Sequence, residues 1–250
     1  MRLPPFIVLK ICLSAALCPA APPQDNARQI LIEQSVTLTA VQSDEAILYW
    51  PIPQSTAEQS VEAIKWSIAD ETSRPLSPRI ETEPKYQNQY AVFRLDPQEL
   101  TSKSRIKANF VLTRKPVNID PGQSRADYLP GEREKLNPRF LKANRRVPLR
   151  SELLQPYLQS LQPSGNRHQD ARAIYDLVVD NMEYRKTGSG WGHGDTHWAC
   201  SRKYGNCTDF HALFTSLARA QGIPVRFEIG LPIDPGQTEG TIKGYHCWVM

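Results

Sequence analysis

The sequence predicts an α+β protein, an N-terminal β-sandwich followed by a mixed helix-and-strand core, on three observations. Between about residues 29 and 115, apolar and polar side chains alternate with period two. From His168, and again from Cys207, apolar residues recur at helical spacing. Short strand-like segments then follow the second helix. With 21 prolines and 13 glycines among 250 residues, the chain favours short strands, turns and stiff connectors over a helical bundle.

Residues 1–20 read as an export signal. Arg2 and Lys10 make the start positive, Ile11 to Leu17 is a short apolar run, and Cys18-Pro19-Ala20 offers small residues for cleavage. The localisation expected is the periplasm or the exterior. Cys18 also raises a lipid anchor, against which Leu17 is bulky where a small residue is needed. No stretch reaches the roughly 20 apolar residues of a membrane span. Loss of Arg2 and Lys10 with the signal lowers the formal charge from +4 to +2, which excludes the strongly basic footprint of a nucleic-acid binder.

The sandwich is expected over 21–118. Val36, Leu38 and Ala40 alternate with threonines. Ile64, Trp66 and Ile68 do so with Lys65 and Ser67, and Ile106, Ala108, Phe110 and Leu112 form a third set. Proline-rich pieces at 51–56 and 74–78 supply turns. Nothing in this part suggests chemistry. Residues 119–165, with recurrent prolines and a run of Arg133, Lys135, Arg139, Lys142, Arg145, Arg146 and Arg150, read as a solvated basic connector.

The core is expected over 166–250. Ala171, Ile174, Tyr175, Val178 and Met182 mark one amphipathic helix, and a glycine-rich loop, Gly188 to Gly194, follows. A second helix begins near Cys207 and ends at Gly222 and Pro224. Val225 to Ile229 and Gly244 to Val249 read as strands.

Of the five cysteines, cleavage after Ala20 leaves Cys200, Cys207 and Cys247, an odd number, so at least one thiol is unpaired within an exported chain. Cys207 stands in the first turn of a helix, where unpaired N–H groups and the dipole favour an anion. The thiolate is the nucleophilic form, and the same amides can stabilise an oxyanion. His246 follows on a strand 39 residues later, the order of a cysteine acyl-transfer site. The bland alternative is a small buried core cysteine.

Three segments, Gly205-Asn206-Cys207-Thr208-Asp209-Phe210-His211-Ala212-Leu213-Phe214, Leu217 to Arg226, and Gly244-Tyr245-His246-Cys247-Trp248, resemble the bacterial transglutaminase-like superfamily. Leu141 to Leu149 looks like the segment leading into that core. The resemblance implies a papain-like α+β fold, Cys207 as nucleophile, His246 as general base and then acid, and amide chemistry through a thioester on a peptide or protein. It implies no cofactor. The family's third catalytic residue, an Asp on the strand after the His, is expected beyond Met250, so the core is expected to be incomplete at its C-terminus. Peptide hydrolysis is favoured over cross-linking by analogy only.

Several further residues bear on this reading. Trp198 and Trp191 are candidate oxyanion donors through their indole N–H, with packing as the alternative. His211 shares a helix face with Cys207 and reads as a packed histidine, and Asp209 as a favourable charge at the helix start. If His246 points at Cys207, strand alternation turns Cys247 away, which leaves two outcomes in an oxidising compartment, a Cys200–Cys247 disulfide or two buried thiols. Two rival functions stay open. One is a binding module on the same fold without catalysis. The other is a zinc site drawn from His193, His197, Cys200, Cys207, His211 and His246, in which His193 and His197 would share a helix face.

Overall fold

A computed structural model describes residues 9–13, 27–38, 45–69, 73–97, 100, 104–117, 138–234 and 236–250. The first half is strands: β1 (Leu9–Leu13), β2 (Arg28–Thr37), β3 (Ala46–Pro51), β4 (Gln59–Ala69), β5 (Ser73–Leu76), β6 (Arg79–Thr82), β7 (Gln89–Leu95) and β8 (Arg105–Arg114). The second half contains α1 (Gln155–Ser160), α2 (Arg167–Asn181), β9 (Glu183–Tyr184), α3 (Thr196–Arg202), β10 (Tyr204–Gly205) and α4 (Cys207–Ala220). It ends with β11 (Phe227–Gly230), β12 (Gly240–Ile242) and β13 (His246–Val249). Two compact units result: one comprises residues 1–121 with 232–244, the other residues 122–231 with 245–250.

The first unit is the expected sandwich. One sheet runs β12-β1-β2-β8-β4-β5 and the other β3-β7-β6. Alternation decides which side faces in: Ile106, Ala108 and Phe110 of β8 are buried, as are Ile30, Ile32 and Val36 of β2. Val36, Ile106 and Ala108 from the larger sheet meet Trp50, Ala91 and Phe93 from the smaller one in a single apolar cluster. Trp50, Trp66 and Phe93 pack edge to face there, with ring centroids 5.2 to 6.5 Å apart. The alternating set expected over 36–40 belongs to a strand that begins earlier, at Arg28, and ends at Thr37. β1 falls inside the stretch read as an export signal and pairs antiparallel with β2. The remainder of that stretch lies outside the described residues, as do 118–137 of the expected connector.

The second unit buries Leu154, Tyr157, Leu161, Ile174, Val178, Met182, Ala199, Cys200, Leu213, Leu217, Ala218 and Val225 together. The first three of these come from the stretch expected to be a solvated connector. Its described part is therefore structural, and the basic residues ride on the outside of segments whose apolar side chains face in. Phe140 and Val147 are buried as well. The helix expected from His168 is α2, capped by Asn166, whose side chain accepts from the amides of His168 and Gln169. α3 was not expected as a helix. Asp195 caps its start and Lys203, left-handed at φ 56°, ends it.

α4 is the centre of the unit. Leu213 and Leu217 are fully buried, and truncating either to Ala is expected to cost about 2–5 kcal/mol. Buried Thr196 of α3 donates to the Ala212 carbonyl at 3.1 Å and meets the Ser216 hydroxyl at 2.7 Å, which locks α3 against α4. Buried Arg219 donates to the carbonyls of Lys142 and Val225, tying the far end of α4 to the entering chain and to the strand segment beyond. β11 and β13 pair antiparallel, Gly230 opposite His246 and Ile229 opposite Cys247.

Candidate active site

Cys207 is the first residue of α4, as expected, and is buried. Its position is set by a tightly built helix start. Asn206 caps α4, its side-chain oxygen accepting from the Thr208 amide at 3.0 Å, while the Asp209 carboxylate accepts from the Asn206 amide at 3.1 Å. The amides of Asp209 and Phe210 donate to the Asn206 carbonyl. This leaves the Cys207 amide as the first-turn donor without a partner among the described residues.

Asp209 does more than favour the dipole. It is fully buried and also accepts from Gly192 at 2.6 Å and Gly194 at 3.2 Å, so one carboxylate clamps the glycine-rich loop onto the helix start. Gly205 has to be glycine here, because a Cβ on it would stand 2.3 Å from the Asp209 carboxylate. Gly190, at φ +100°, lies against Trp198, which a Cβ would approach to 2.4 Å.

The tryptophans are engaged elsewhere. The Trp191 indole N–H donates to the Gly188 carbonyl at 3.0 Å and that of Trp198 to the Tyr204 carbonyl at 2.9 Å. In this arrangement both hold the loop and α3, and neither offers its N–H to Cys207. The expected oxyanion role is replaced by packing because a half-buried indole N–H takes the nearest backbone acceptor.

The strand after the loop differs from expectation in parity. Cys247 is the inward residue of β13, 1% exposed, and His246 is exposed. The Cys247 sulfur lies 3.2 Å from His211 Nδ1 and 3.8 Å from the Thr208 hydroxyl, against the turn of α4 that begins with Cys207. No hydrogen bond among the described residues joins His246 to Cys207. His246 does stand near enough to His211 for its charge to act on that ring. Cys200, Cys207 and Cys247 are all free, so the Cys200–Cys247 disulfide is not formed. Cys200 sits in the apolar cluster on α3, while Cys247 is turned toward α4.

Burial pushes the Cys247 thiol up to about 12, and the neighbouring Cys207 thiol adds to this. Burial, with the nearby Asp195 carboxylate, pushes Cys200 up to about 11. The His211 imidazole is shifted downward, first by burial and then by His246, against a hydrogen bond to the Cys207 backbone that acts upward. Burial therefore favours the neutral imidazole on His211 and the protonated thiol on Cys247.

Tyr245 completes the set and was not singled out from the sequence. Its hydroxyl lies 3.3 Å from Asn206 Nδ2 and 3.2 Å from the Thr208 hydroxyl, on either side of Cys207 in the chain. Its place immediately before His246 was the available signal. The zinc reading loses its geometry: His193 precedes α3 and shares no helix face with His197, and no group of three or more candidate ligands converges among the described residues.

The site thus sets a cysteine at a capped helix start against a strand that bears a histidine. The transglutaminase-like superfamily profile matches residues 155–250, so this part of the chain is a transglutaminase-like domain. The match begins with α1, inside the stretch expected as connector. A candidate cysteine protease from Cytophaga hutchinsonii superposes with a TM-score of 0.56 at 16% identity, over 90% of this chain and 74% of that one. The periplasmic domain of TgpA from Pseudomonas aeruginosa gives a TM-score of 0.41 at 13% identity, over 97% and 82%. The first likeness establishes the fold, and the second is too distant to argue from. No curated protein matches the chain. Among the described residues no helix is long and apolar enough to cross a membrane.

Proposed function

We propose that the domain acts on amide bonds of peptides or proteins through a thioester on Cys207, with His246 as the base that takes the thiol proton and returns it to the leaving amine. Hydrolysis by water is the favoured second half, and transfer to an amine the alternative. The observation that carries the reading is Cys207 at the first turn of α4 with its own amide unengaged, inside a transglutaminase-like domain. Attack on a carbonyl there would place the developing oxyanion at that amide. The signal-like composition of residues 1–20 supports export as part of this reading.

The experiment is intact-mass trapping of an acyl-enzyme with a casein digest, with and without a primary amine. An adduct on the peptide bearing Cys207 is expected, and the Cys207→Ala and His246→Ala variants should not form it. Alkylation supplies a second readout. Burial holds the Cys200 and Cys247 thiols in their protonated form, so iodoacetamide is expected to label Cys207 first. Labelling of all three at one rate, together with absence of an adduct, would favour a binding module. That second reading draws on the exposed His246, which no hydrogen bond ties to Cys207.

A further inference from the structure

Cys247 is a nucleophilic side chain that the acyl transfer does not use, yet it is packed against the group that does. It is 1% exposed, and its sulfur lies 3.2 Å from His211 Nδ1 and 3.8 Å from the Thr208 hydroxyl, so it sits against the first turn of α4, which begins with Cys207. The parity of β13 turns it toward the start of α4, and the pairing of β11 with β13 holds that strand in register. Cys200 is not part of this group: it belongs to the apolar cluster on α3.

We propose that peroxide converts Cys207 and Cys247 into a reversible disulfide that stores the nucleophile in a protected form. The proposal rests on the reading of Cys207 as the reactive thiol. In the first step the Cys207 thiolate attacks a peroxide oxygen. The O–O bond breaks, the sulfur is oxidised to a sulfenic acid, and the departing hydroxide takes up the proton that the thiol gave up and leaves as water. In the second, the Cys247 thiol gives its proton to His211 Nδ1 and its sulfur attacks the Cys207 sulfur. The S–OH bond breaks and hydroxide leaves with the proton as water. The two sulfurs must close to about 2.05 Å. An external dithiol reverses the change, reducing the bond and becoming oxidised itself. Without Cys247, the sulfenic acid would instead advance to irreversible acids under further peroxide.

The test treats the full chain with hydrogen peroxide, blocks remaining thiols, and maps tryptic peptides without reduction. Trypsin separates the three cysteines into peptides 187–202, 204–219 and 244–250. The expected result is a link between 204–219 and 244–250, two thiols lost per chain, Cys200 still alkylatable, and full recovery of both thiols with dithiothreitol. The Cys247→Ala variant is expected to accumulate sulfinic and sulfonic Cys207 that dithiothreitol does not rescue. A wild-type Cys207 oxidised to sulfinic acid beside a free Cys247 overturns the proposal. So does a bond to Cys200, a bond between chains, or no oxidation. Because the mapping reads bonds and not turnover, a linked chain that never forms an acyl-enzyme would sink the thiol-enzyme reading alone.

Discussion

Replacing Asp209 by Ala tests the architecture of the site without touching a reacting group. The carboxylate is fully buried and accepts from three backbone amides, at 2.6 Å from Gly192, 3.2 Å from Gly194 and 3.1 Å from Asn206. A buried donor left without its acceptor costs about 1–3 kcal/mol. Gly192 and Gly194 are half-buried and can turn to water, so they fall at the low end, whereas Asn206 is 5% exposed and cannot. The sum is about 4 kcal/mol, or roughly a thousandfold in the local opening equilibrium. Asp209→Asn keeps the shape but turns one acceptor into a donor facing donors, and an intermediate loss is expected. Hydrogen exchange read on peptides 187–202 and 204–219 is the assay, since it resolves this region from the sandwich. Protection in both peptides within threefold of wild type in Asp209→Ala would refute the clamp.

Two other outcomes follow from the same geometry. His211 faces His246, the Cys247 thiol, the Cys207 backbone and the Phe227 ring, and is shifted downward in the fold. Between its native value and the ordinary value of about 6.5, the unfolded chain binds a proton that the native chain does not, so the stability contributed by neutral His211 is full above about pH 6.5 and lost as pH falls through that window. Urea midpoints at pH 7.5 and 5.5 should therefore differ more in wild type than in His211→Gln, and equal differences would count against a buried neutral imidazole. Trp198→Phe removes one indole hydrogen bond, and about 1 kcal/mol of stability with unchanged kcat is expected. A fall in kcat of about 10²–10³ would instead restore Trp198 as an oxyanion donor.

Where local patterns decide structure, the sequence was sufficient. The alternation of Ile106, Ala108 and Phe110 specified a half-buried strand, because side chains on a strand point to opposite faces in turn. Asn206, Cys207 and Asp209 specified a capped helix start, because capping is a contact between residues three apart. The short α3 escaped notice because glycines at 190, 192 and 194 crowd its approach and its cap, Asp195, directly follows them. The apolar residues of 154–161 were overlooked because proline and arginine dominate the composition around them, although the buried side chains are what place α1 in the core.

The sequence by itself determined the two-part α+β plan, the nucleophile candidate and the helix that presents it, since each is written in spacing along one segment. Only the tertiary structure decided what surrounds Cys207. It turned Cys247 inward and left His246 exposed, engaged both tryptophan N–H groups with backbone carbonyls, brought Tyr245 beside Asn206 and Thr208, and made Asp209 the anchor of the glycine loop. The physical reason is register. A strand of known alternation has two possible faces, and which one meets a helix is settled by pairing with β11 and packing on α4, contacts between residues far apart in the chain.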